Sequence, residues 1–147
     1  MYLRASEPFP STKPARDERA LDLVVPYTSP ALTARALAVA VDLAQGFETN
    51  ITLLAVYVLP YPGPLECQPG IKTRFEAELS TVARTHSVPI RARLVFARDR
   101  LDGFLGSLPR RALVVIGTKS RWWRTPEERL AWRLTARGHS VALIKVN

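Results

Sequence analysis

From Leu21 onward, apolar residues fall into two alternating patterns: strand-length runs, and longer stretches with helical spacing. The strand-like runs are Leu21–Pro26, Asn50–Leu59, Ile90–Ala97, Ala112–Gly117 and Ser140–Val146. The second and fourth are almost continuously apolar, as expected of strands covered on both faces. Ile90–Ala97 instead alternates, which suits a strand nearer a sheet edge. Between the runs, four sets of residues recur at helical spacing. The first is Leu32, Ala36, Val39, Ala40 and Leu43, and the second is Ile71, Phe75, Leu79 and Val82, ending near His86. The third is Leu101, Phe104, Leu105 and Leu108, stopped by Pro109, and the fourth is Leu130, Ala131 and Leu134.

Boundary signals agree with this reading. Ser29 can cap the first helix, with Pro30 in its first turn. Thr125-Pro126-Glu127-Glu128 has the form of a capping box opening the fourth. Gly46 and Gly138 can end helices in the left-handed conformation. Five strands alternating with four helices predict successive βαβ units, hence an α/β fold: a single doubly wound, five-stranded parallel sheet with helices on both faces. Crevices in such sheets lie at the carboxyl ends of strands. The candidate site segments are therefore Pro26–Pro30, the end of the second strand, and Gly117–Arg124, of which Thr118–Arg124 is expected to be loop.

Two segments stand outside the pattern. Residues 1–20 carry three prolines and seven charges without an apolar period, and read as a polar arm preceding a domain at 21–147. Pro60–Gly70 reads as a Pro/Gly-rich loop containing Cys67.

The chain of 147 residues has the size of one domain, and its 47% apolar content is spread evenly enough to build a core. No apolar run approaches the ~18–20 residues of a membrane span, and no apolar signal segment opens the chain, so a cytoplasmic protein without membrane association is expected. One cysteine and two histidines exclude an internal disulfide and a zinc site of the usual Cys/His kind. The net charge of +8 is regional. Residues 98–137 hold ten Lys/Arg against four Asp/Glu, whereas residues 1–20 hold four against three. Such a stretch suits phosphates, nucleic acid or an acidic partner.

Catalytic chemistry finds no support. Asp99 and Asp102 lie at a charged helix start and read as surface groups. Ser29 has no base in sight, and capping accounts for it. His86 falls at a helix end and His139 in a turn, while Glu66 beside Cys67 opposes a reactive thiolate. No enzyme activity and no metal are expected.

Three stretches, LDLVVPYTSPALTARALAVAVDLAQGFETNITLLAVYVLP, ALVVIGTKS and SVALIKV, together resemble the universal stress protein family over Leu21 to Val146. The resemblance implies strand order 3-2-1-4-5, homodimers, and a non-catalytic stress or regulatory role. Family members that bind ATP resemble one another in a loop, G-x-x-G-x9-G-(S/T), whose glycines let backbone N–H groups approach phosphates. Here Gly117 matches the first glycine and Ser120 stands at the second. The closing pair falls on Leu130-Ala131 or, counted back from the last strand, on Glu128-Arg129. Tyr27 or Thr28 occupies the place of an Asp common after the first strand, and Glu127 and Glu128 oppose a phosphate. Little or no nucleotide binding is therefore expected, and no cofactor. If ATP does bind, the resemblance implies Pro26, Tyr27, Thr28, Val56, Gly117, Thr118, Lys119, Ser120 and Arg121 as its site, with Lys119, Arg121 and Arg124 offsetting the two glutamates.

Two further surfaces follow. Lys119-Ser120-Arg121-Trp122-Trp123-Arg124 interleaves cations with aromatics, a pattern that suits nucleic acid or an acidic partner. The favoured reading is nonetheless structural, with Trp122 and Trp123 packed over the sheet end or in a subunit contact. Val141, Ala142, Leu143, Ile144 and Val146, broken only by Lys145, form an apolar last strand. At a sheet edge it requires a cover, and the same strand of a second copy provides one.

Overall fold

The computed structural model describes residues 21–59, 69–84, 86 and 88–147. Residues 1–20, expected to be an arm, and 60–68, expected to be loop and including Cys67, lie outside the described residues. The elements are β1 (Leu21–Pro26), α1 (Pro30–Ala44), β2 (Thr49–Val58), α2 (Pro69–Arg84), β3 (Ile90–Ala97), α3 (Arg100–Leu105), β4 (Ala112–Lys119), α4 (Pro126–Ala136) and β5 (Ser140–Val146). All strand pairs are parallel, in the order β3-β2-β1-β4-β5. The sheet is therefore doubly wound, as the alternating pattern requires.

Alternate residues of each strand feed two cores. Leu23, Val25, Leu53, Leu94, Phe96 and Val115 pack beneath α1 and α2 with Ala36, Leu37, Ala40 and Leu79. On the opposite face Val24, Leu54, Val95, Val114 and Ile116 pack with Phe104 of α3 and Leu130, Ala131 and Leu134 of α4. Burial on both faces explains why β2 and β4 read as nearly continuous apolar runs.

The helix ends bear out their signals. Ser29 Oγ accepts the Leu32 N–H at 3.4 Å. At α4 the Thr125 hydroxyl accepts the Glu128 N–H at 3.1 Å, and Glu128 Oε1 accepts the Thr125 N–H at 3.3 Å, closing the capping box. Gly46 and Gly138 have φ of 86° and 93°, where a side chain would be strained. Asp99 caps α3 by accepting the Asp102 N–H at 3.0 Å.

Several boundaries differ from the expected ones: β2 runs Thr49–Val58 rather than Asn50–Leu59, and α2 begins at Pro69, inside the expected Pro60–Gly70 loop. The third helix stops at Leu105, capped by Gly106, so Leu108 packs on the core from beyond the helix. More consequentially, β4 does not end at Gly117. Thr118 and Lys119 continue the ladder opposite Lys145 and Val146 of β5, and the Ser120 N–H donates to the Val146 carbonyl at 3.0 Å. A full-length partner strand holds as sheet what the sequence marks as loop.

The two edges of the sheet differ in character. β3 carries Arg91 and Arg93 on alternate positions, with an Arg93 guanidinium N–H donating to the Ser107 carbonyl at 3.5 Å. β5 has Val141, Ala142, Leu143, Ile144 and Val146 all half-buried, and only Lys145 between them is charged.

Candidate functional site

An open groove of about 750 Å³ lies between the first turns of α1 and the carboxyl ends of β4 and β5. From α1 it takes Ala31, Leu32, Ala34 and Arg35; from the end of β4, Lys119, Ser120 and Arg121; from the end of β5, Val146 and Asn147. Its wall is largely apolar, with three cationic side chains. This arrangement can accommodate an anion that carries an apolar body.

Of the residues marked from the sequence for a nucleotide, the groove brings together Lys119, Ser120 and Arg121. Pro26, Tyr27, Thr28, Val56, Gly117 and Thr118 lie outside its lining, each for a physical reason. Pro26 is buried within β1, opposite Leu54 of β2. Tyr27 stacks edge-on against Phe75 at 5.7 Å, Phe75 meets Tyr57 at 5.9 Å, and Tyr57 meets Phe96 at 5.7 Å. An aromatic cluster thus fills the α2 side at the ends of β1 and β2. Burial, with the Glu78 charge adding, pushes the Tyr27 hydroxyl above the usual tyrosine range. The Thr28 N–H donates to Thr33 Oγ1 at 3.0 Å, while its own buried hydroxyl has no hydrogen-bond partner among the described residues. Val56 faces α3, with its methyl groups over Gly103.

Gly117 and Thr118 are committed to packing. A Cβ on Gly117 would sit 2.5 Å from the Leu32 carbonyl oxygen, so the first turn of α1 rests directly on this glycine. Thr118 is fully buried on the opposite face, and its hydroxyl is hydrogen-bonded to that of Thr125, the α4 cap. With the ladder to β5 engaging the backbone as far as Ser120, the segment is shaped as strand rather than as a glycine-lined cradle.

The tryptophans do not pack over the sheet end, the first of the two structural placements expected for them. Trp122 is 91% exposed and Trp123 48%. They pack edge-on against each other at 5.1 Å, so neither is buried over the sheet end. Arg121 lies 5.1 Å from the Trp123 ring centre. Arg124 lies 5.5 Å from the ring of Trp132, itself 64% exposed on the outer face of α4.

Arg35 and Trp132 were missed from the sequence, and Val146, marked there only for the last-strand contact, also lines the groove. Trp132 had a signal, since it stands between Ala131 and Leu134 on a helix whose inner face those residues define. Arg35 had none, because its position depends on how α1 crosses the sheet. Among the described residues no group of three or more His, Cys, Asp or Glu is arranged to hold a metal, and no helix is long and apolar enough to cross a membrane.

No family model matches the chain, and no curated protein matches it in sequence. Among solved structures, a universal stress protein crystallised in complex with cAMP is similar in fold. Its TM-score is 0.52 at 18% identity, over 88% of this chain and 98% of that one. The likeness rests on the five-stranded parallel sheet and its helices.

Proposed function

We propose that this chain is a non-catalytic regulatory module of universal-stress-protein type, acting as a homodimer through β5 and binding ATP weakly or not at all. The observation that carries the nucleotide part is the Gly117 contact. The one glycine matching the ATP-binding loop is already covered by the Leu32 carbonyl, and no glycine follows it before Gly138. The half-buried apolar edge of β5 supports the dimer. Cytoplasmic residence and a role in stress belong to the same proposal.

A second reading is favoured by the groove. Arg35, Lys119 and Arg121 beside an apolar wall suit a nucleotide held in a remodelled way, and the similar solved structure contains cAMP. Native mass spectrometry of the purified protein tests the assembly and any retained ligand together, and calorimetry with Mg-ATP tests affinity. The expected results are a ligand-free dimer and no binding heat at micromolar protein. A dissociation constant below ~10 μM, equivalent to ~7 kcal/mol, would favour the second reading.

A further inference from the structure

All three tryptophans of the chain, Trp122, Trp123 and Trp132, lie exposed beside the carboxyl end of β4. Indole is the largest side chain a core can use, and a chain of this size normally spends it there. Here Phe96, Phe104 and the aliphatic residues fill both cores, and the indoles stand in water. Two of the rings are each paired with a guanidinium, Arg121 at Trp123 and Arg124 at Trp132, and Arg124 follows Trp123 directly in the chain. Such cation–π contacts orient the arginines while leaving outward N–H groups to donate. Lys119 is also exposed, just before Arg121 in the chain.

We propose that Trp122, Trp123 and Trp132 form a binding surface for single-stranded nucleic acid, with the indoles stacking on bases and Lys119, Arg121 and Arg124 meeting phosphates. The chemistry decides between partners. Bases have flat faces for indoles and carry one anionic phosphate each, matching an interleaved set of rings and cations. A duplex hides its base faces, and Trp122 and Trp123 stand at 85° to each other, so neighbouring bases must splay to use both. Only a flexible single strand does this readily. A lipid surface would call for exposed aliphatic residues around the rings. Among the described residues, the other exposed large apolar ones, Leu21, Leu43, Phe47 and Val58, belong to β1, the end of α1 and its following turn, and β2. The surface shares Lys119 and Arg121 with the groove, but none of its three tryptophans lines that groove. Loss of dimerisation or of mononucleotide binding therefore leaves the proposal standing.

The test is fluorescence titration of the full chain with oligo-dT and oligo-U of ~20 nucleotides, comparable to the site sizes of single-strand binders. Every tryptophan of the chain is in the surface, so stacking reports directly as quenching of intrinsic fluorescence. Binding with quenching is expected, weakening steeply between about 50 and 200 mM salt. Trp122→Ala is expected to lower affinity about tenfold, with the melting temperature unchanged because the side chain is almost wholly exposed. Arg121→Gln and Arg124→Gln are each expected to flatten the log–log salt slope by about 0.7. A matched duplex should bind more weakly than the single strand. Unchanged affinity in Trp122→Ala, binding without quenching, or binding only to phosphatidylserine-containing vesicles or to poly-glutamate would each overturn the proposal, the last two in favour of a membrane or an acidic protein.

Discussion

Gly117 and Tyr27 show what single residues settle at the end of the sheet. Adding one methyl group at Gly117 would drive a Cβ into the Leu32 carbonyl oxygen, a backbone atom that moves only with α1. Gly117→Ala is expected to cost about 1–3 kcal/mol, the range for overpacked sites, read as a lower urea midpoint. Tyr27 adds a pH dependence. Its hydroxyl ionises at a higher pH in the folded chain than in the unfolded one. Its contribution is thus complete below the unfolded value near 10 and is lost as pH rises from there through the folded value, because the unfolded chain gives up its proton first. Tyr27→Phe should therefore reduce the fall in stability as pH rises above about 10, measured as urea midpoints on either side of that value. Neither effect was legible in the sequence. The motif match drew attention to Gly117 for its backbone freedom, whereas its use depends on a carbonyl from a distant helix. Tyr27 read as a residue in the place of a family Asp, but its partners Phe75 and Glu78 belong to α2, whose approach no local pattern specifies.

The elements, by contrast, were largely visible beforehand, because each rests on a local signal. β1, β3 and β5 have the boundaries that alternation and turn residues mark, and α1 and α4 start where Ser29 and Thr125 cap them. Thr125 has the heavier duty of the two, since its hydroxyl serves the α4 capping box and also meets the buried Thr118 hydroxyl. Thr125→Ala is expected to cost about 2 kcal/mol, the upper end for a lost cap, because Thr118 also loses its partner. Chemical denaturation of the variant checks this, and Thr125→Ser should recover most of the loss. Where local signals run out, the boundaries moved. Thr118 and Lys119 look like loop residues, yet they pair with Lys145 and Val146 because β5 extends far enough to receive them. That pairing narrowed the candidate site to Lys119, Ser120 and Arg121 and added the α1 residues around Arg35.

For the whole molecule, strand order follows from parallel crossover rules only up to a choice of direction, and the family resemblance supplied that choice. The observed β3-β2-β1-β4-β5 order leaves β5 at one margin. Pairing of two β5 strands about a two-fold axis would complete both ladders and cover Val141, Leu143 and their neighbours. Leu143→Pro removes a ladder donor and strains the strand. It is expected to sediment as a monomer or to aggregate, whereas a well-folded dimer would place the subunit contact elsewhere. The opposite margin sets how far such pairing can go. With Arg91 and Arg93 along β3, a third copy approaching that side would bring its own guanidinium pair or face theirs across an unpaired backbone. Under the proposed β5 pairing the chain would therefore have a valence of one for strand addition. Such joining would consume the bare margin and leave two arginine-bearing ends, so growth would terminate at a discrete pair where a sheet with two bare margins would polymerise into a fibre.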